Sequence, residues 1–155
     1  MGERRQRILV VDDETANQEL LLELLDVLGY EAEAAGDGIL ALEAVARRRP
    51  DLILLDVMMP RMDGYEVCRR LKSDPETAFI PVVIITAMAD FSHRIEGINA
   101  GADDFLAKPF SQMELAARTR SLLRAKSLHD DLESAYRTMD RLAGYTERVL
   151  SSFNP

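Results

Sequence analysis

Five residues have types and positions that suggest chemistry: Asp12 and Asp13, Asp56, Thr86 and Lys108. Each acid or hydroxyl closes a short apolar run, Ile8-Leu9-Val10-Val11 before Asp12-Asp13, Leu52-Ile53-Leu54-Leu55 before Asp56, and Val82-Val83-Ile84-Ile85 before Thr86. Carboxylates brought together repel one another, which raises their pKa values and costs stability unless a positive charge answers them. Two candidates are a hard divalent cation and Lys108, the only lysine in residues 73–125. Mg²⁺ suits such a donor set, because it takes one or two carboxylates plus waters and leaves positions free for phosphate oxygens. A plainer role is open to each acid singly, since carboxylates at strand ends often cap the following helix, and Asp13 or Thr15 could do so for the first one. Taken jointly with Thr86 and Lys108, the acids point to a site rather than to separate caps.

The elements needed to bring them together are legible in the pattern. An apolar run that stops abruptly at a polar residue is the profile of a strand buried on both faces. Weaker versions occur at Glu31 to Ala35 and Asp103 to Leu106. Between them lie segments of helical spacing: Leu20, Leu21, Leu24, Leu25 and Leu28; Leu42, Val45 and Ala46; Tyr65, Val67, Cys68 and Leu71; Ile95, Ile98 and Ala102. Five strand-then-helix units predict right-handed crossovers and an α/β fold with a parallel sheet between helices. Ligands of such sheets sit beyond the carboxyl ends of the strands, which is where the acids, Thr86 and Lys108 fall.

The chain has 155 residues, 47% of them hydrophobic and 30% charged, enough for one globular domain plus an extra element. Its net charge is −8, with 12 Lys+Arg against 21 Asp+Glu in residues 1–110 and 7 against 6 in residues 111–155. That field argues against a nucleic-acid surface. The single Cys68 excludes an intrachain disulfide, and no apolar run approaches a membrane span, so the expected location is cytoplasmic, away from nucleic acid and membrane. After Phe110 no strand is expected. Ser111 as N-cap with Glu114 three residues later opens one long helix. In it Leu128, Leu132, Ala135, Met139, Leu142, Thr146, Val149 and Phe153 recur at spacings of 4 and 3, a heptad seam that predicts a homodimer through this helix.

Asp12-Asp13 after the first strand, Asp56-Val57-Met58-Met59-Pro60-Arg61-Met62-Asp63-Gly64 after the third, Thr86-Ala87 after the fourth and Lys108-Pro109 after the fifth resemble the receiver domain of two-component response regulators. The resemblance covers about residues 6–125. It implies a flavodoxin-like, doubly wound five-stranded sheet of order 2-1-3-4-5. It also implies that Asp56 accepts a phosphoryl group from a sensor histidine kinase or phosphotransfer protein, with Mg²⁺ as cofactor. Asp13 would bind the ion directly, Asp12 largely through water, Asp56 through one oxygen and Met58 through its backbone carbonyl. Lys108 would pair with the acyl phosphate, and Pro109 would follow a cis peptide bond. Thr86 would move to the phosphate and Phe105 would turn into the space it leaves. Met58 and Met88 flank the phosphate in such a fold, and their thioethers cannot orient a hydrolytic water.

The resulting division is a receiver over residues 1–125 and a helical coiled-coil extension over 126–155. The extension leads to an output that the sequence does not identify, whether diguanylate cyclase, HD-type phosphodiesterase, kinase or none. The receiver itself is expected to be a signalling phosphoacceptor and not an enzyme. Two other readings stand beside it: a non-phosphorylated pseudo-receiver used for dimerisation or scaffolding, and a flavodoxin-like nucleotide or flavin binder. The latter would draw on Gly36-Asp37-Gly38-Ile39-Leu40-Ala41, which matches a dinucleotide fingerprint but lies after the second strand, while Asp12-Asp13 occupies the turn where pyrophosphate would sit.

Overall fold

The computed structural model describes residues 4–88 and 90–152. Five strands, β1 (Arg7–Val11), β2 (Glu31–Ala35), β3 (Leu52–Asp56), β4 (Val82–Thr86) and β5 (Asp104–Ala107), alternate with five helices. The helices are α1 (Thr15–Val27), α2 (Gly38–Arg47), α3 (Gly64–Ser73), α4 (Phe91–Ala100) and α5 (Gln112–Ser152). The strands form one parallel sheet in the order β2-β1-β3-β4-β5, the flavodoxin-like order anticipated from the resemblance. The chain divides between Leu123 and Arg124 into two compact units.

In the first unit the alternation of strand side chains supplies two cores. Leu9, Val11, Ile53, Leu55, Val82 and Ile84 face one way, against Ala41, Ala44 and Val45 of α2 and Tyr65, Val67, Cys68 and Leu71 of α3. Ile8, Val10, Leu52, Leu54, Val83, Ile85 and Leu106 face the other way, against Leu21 and Leu25 of α1 and Leu115 and Leu123 of α5. The central strands are therefore apolar on both faces, which is why they read as continuous runs. The edge strand β2 is half-buried, and its Glu31 and Glu33 pair with Arg7, Arg47 and Arg48.

Acidic caps start three helices: Asp37, Asp63 and Asp90 accept backbone N–H groups at the first turns of α2, α3 and α4. The first helix differs. Neither Asp13 nor Thr15 caps it; Glu14 stands at the cap position without a side-chain capping bond, and Asp12 Oδ1 accepts the Glu14 N–H at 2.9 Å. The α5 cap is as expected, with Ser111 Oγ accepting the Glu114 N–H at 3.0 Å.

Helical spacing misplaced two residues and one whole face. Leu20 and Ala46 are exposed, the buried positions of α2 being Gly38, Ala41, Ala44 and Val45. In α4 the buried residues are Gly97 and Ala100, whereas Ile95 and Ile98 are exposed. A Cβ built on Gly97 would lie 2.0 Å from Cζ of Phe105, so the ring from β5 fills the space that a side chain on α4 would need. The helix turns its smallest residues to the sheet because the sheet brings a large one to it.

The second unit is the remainder of α5, from Arg124 to Ser152. Lys126–Asp130, His129–Glu133 and Arg137–Glu133 pair one turn apart along it. The seam residues Leu128, Leu132, Ala135, Met139, Leu142 and Thr146 are exposed, and Val149 is half-buried. Phe153 lies outside the described residues.

Candidate functional site

Register places the chemistry. Val11 pairs with Leu55, Asp56 with Ile85, and Thr86 with Ala107. Asp12, Asp56, Thr86 and Lys108 therefore leave four neighbouring strands at the same edge of the sheet. One carboxylate oxygen from each of Asp12, Asp13 and Asp56 lies within 4.8 Å of the others. Asp12 is buried, Asp13 exposed and Asp56 between them, so the cluster grades from sheet to solvent.

Lys108 bridges this cluster, its Nζ lying 3.7 Å from Asp12 Oδ2 and 3.9 Å from Asp56 Oδ2. The lysine N–H donates to the Thr86 carbonyl at 2.9 Å, and the Lys108–Pro109 bond is cis. Asp12 is held from several directions: its N–H donates to Ala35 O, its carbonyl accepts the Gln18 side chain at 2.6 Å, and its Oδ1 is taken by Glu14. Asp56 Oδ1 accepts the Met58 N–H at 3.3 Å. Burial pushes the Asp56 carboxyl above its ordinary value; Lys108 opposes that rise and the Asp12 charge adds to it.

The loop from Val57 to Asp63 folds tightly under Asp56. Gly64 N–H donates to Val57 O at 3.0 Å, and a Cβ on Gly64 would stand 2.3 Å from the Asp56 carbonyl oxygen. Only glycine fits that approach. Thr86 is buried, and its Oγ1 accepts the Met88 N–H at 2.9 Å. Met58 and Met88 are exposed beside the site, and Phe105 is half-buried with its ring against Gly97.

The donor set fits Mg²⁺ on chemical grounds, since three close carboxylate oxygens exceed what one lysine at 3.7–3.9 Å can neutralise, and all are hard oxygen ligands. Cys68, by contrast, is buried away from this edge, and burial pushes its thiol up to about 11. Gln18, Gly97 and the cap Asp37 escaped the reading of the sequence. Gln18 carries no local signal at all, because its bond reaches back across a loop. Asp37 had one, a helix start three residues ahead of Leu40.

Comparison with known proteins gives a consistent result. The model of the response regulator receiver domain matches residues 8–120. The response regulator PleD of Caulobacter vibrioides is 51% identical over 146 residues, covering 92% of this chain and 32% of that protein. The response regulator MprA of Mycobacterium avium is 49% identical over 136 residues, covering 88% of this chain and 59% of that protein. The chain thus spans less than two thirds of the length of these relatives. Among solved structures, the Vibrio cholerae chemotaxis protein CheY4 matches with a TM-score of 0.73 and 30% identity, over 77% of this chain and 99% of that one. The receiver domain of sensor histidine kinase PA1611 from Pseudomonas aeruginosa has a magnesium ion coordinated in its active site cleft. It matches with a TM-score of 0.71 and 35% identity, over 80% of this chain and 99% of that one.

Proposed function

This chain belongs to the response regulator receiver domain family, and from that premise we propose that Asp56 is its phosphoacceptor. A sensor histidine kinase or phosphotransfer protein presents phosphohistidine. An oxygen of the Asp56 carboxylate attacks phosphorus, the P–N bond breaks, and the imidazole departs with the bonding electrons and is protonated. The product is an acyl phosphate. Its transition state is loose and highly charged, so the protein's task is positioning and neutralisation. Bound Mg²⁺ would supply positive charge to the phosphoryl oxygens, held by Asp12, Asp13, Asp56 and the Met58 carbonyl. Lys108 supplies the second positive charge, and its bridge between Asp12 and Asp56 is the observation that carries the reading.

Switching follows from the added charge. Thr86 Oγ1, which now accepts the Met88 N–H, would instead donate to a phosphate oxygen, and Phe105 would respond to its movement. We assign the receiver to residues 1–125 and a coiled-coil extension to 126–155, through which a homodimer passes the signal to an output in the cytoplasm. The exposed apolar seam after Arg124 supports that part, and no described helix is long and apolar enough to cross a membrane.

Intact mass before and after acetyl phosphate tests the assignment. One phosphoryl group should appear on wild type only with Mg²⁺ present. If Asp56→Asn gains it at the wild-type rate, the acceptor is elsewhere.

A further inference from the structure

Arg61 has φ of 67°, the only non-glycine residue with positive φ among the described residues. An unbranched residue tolerates that left-handed conformation at a cost, and glycine would adopt it freely. Something must hold the arginine there. Its Nη2 donates to Asp37 Oδ2, and the side chain of Asp37 is only 11% exposed. The other oxygen, Oδ1, accepts the Leu40 N–H at 2.9 Å and so caps α2. A Cβ on Gly38 would come within 3.0 Å of the Met62 carbonyl, so the tip of the β3–α3 loop touches the first turn of α2.

The loop's own bonds are short: Met59 N–H to Val57 O at 3.1 Å, Met62 N–H to Pro60 O at 2.8 Å, and Gly64 N–H to Val57 O across its base. These shape the loop without fixing it to another element. Arg61 to Asp37 does so across 24 residues of sequence. We propose that the Arg61–Asp37 pair is a positioning device for the Mg²⁺ site, a strut that holds the β3–α3 loop, and with it the Met58 carbonyl, against the N-terminus of α2. The inference rests on the reading of the Met58 carbonyl as a metal ligand. It explains why an arginine occupies a backbone position suited to glycine: glycine would relieve the conformation and lose the tie.

Calorimetric titration of the full chain with Mg²⁺ tests it, using Arg61→Gly, Asp37→Asn and the double variant. Asn at position 37 keeps a cap oxygen for Leu40 and loses the charge. The tie is a single ion pair near the surface, so each single variant should weaken Mg²⁺ binding by about three- to fivefold. The double variant should be no weaker than the weaker single one, because both remove the same strut. Metal-free thermal melting of Arg61→Gly should stay near wild type, separating lost positioning from lost folding. Wild-type affinity in Arg61→Gly, or losses that add in the double variant, would overturn the proposal alone. Equal Mg²⁺ binding by wild type and Asp13→Asn would overturn the metal reading and this inference with it.

Discussion

The strand ends around Asp56 and the helix beyond Arg124 break the usual distribution of residues in opposite senses. At the strand ends, polar groups are buried: Asp12 is 2% exposed and Thr86 1%. Along the helix, large apolar groups are exposed, with Leu128 at 65% and Leu142 at 62%. A buried polar cluster and an exposed apolar stripe are the two departures from ordinary burial that carry information, because each has a free-energy cost that folding alone does not recover. In the first unit the cost is like-charge repulsion and desolvation, answered in part by Lys108. In the second it is hydration of leucine and methionine. On the proposed function, the contrast separates two kinds of site, one recognising charge and the other recognising shape.

The largest effect should come from the helix. Replacing both Leu132 and Leu142 by Glu removes two side chains worth roughly 1.5–3 kcal/mol each on burial. Sedimentation of the full chain at tens of micromolar should show a dimer for wild type and a monomer for this variant. Identical sedimentation of the two would remove the shape-recognising half of the comparison.

The charge-recognising half is sharpened by two substitutions at one cluster. Asp13→Asn deletes a ligand and should weaken Mg²⁺ binding by about 100-fold, whereas Lys108→Ala deletes a competing cation and should leave the affinity unchanged or raise it. Calorimetry reports both, and equal losses would contradict the assigned roles.

A smaller effect should appear in the pH dependence of metal-free stability. Because the folded-state pKa of Asp56 lies above its ordinary 3.8, the group favours the fold below 3.8, and that contribution is lost as pH rises through the folded-state value. Asp56→Asn does not titrate. Its melting temperature relative to wild type should therefore climb as pH rises across that window and level off above it. A constant offset across the window would mean that burial does not disfavour the Asp56 charge.

What could be read from the residues follows a physical division. Strands β1, β3 and β4 were legible because burial on both faces demands unbroken apolar runs, and their abrupt ends located Asp12, Asp56 and Thr86. The long last helix was legible from its cap at Ser111 and its lack of breakers. The inward face of α4 was not. Periodicity selected Ile95 and Ile98, yet the space on the sheet side belongs to the Phe105 ring, so Gly97 and Ala100 face inward.

The sequence by itself determined which residues are charged, apolar or able to cap, and how they repeat along the chain; that sufficed for the elements and for the membership of the acidic cluster. Only the tertiary structure decided the approach of Lys108 to two carboxylates, the bond from Gln18 to the Asp12 carbonyl, and the tie between Arg61 and Asp37. Each joins residues on different elements, and such a contact depends on register and on which volume a neighbour already fills. Local propensity carries neither quantity, since both arise when strands pair and side chains compete for the same space.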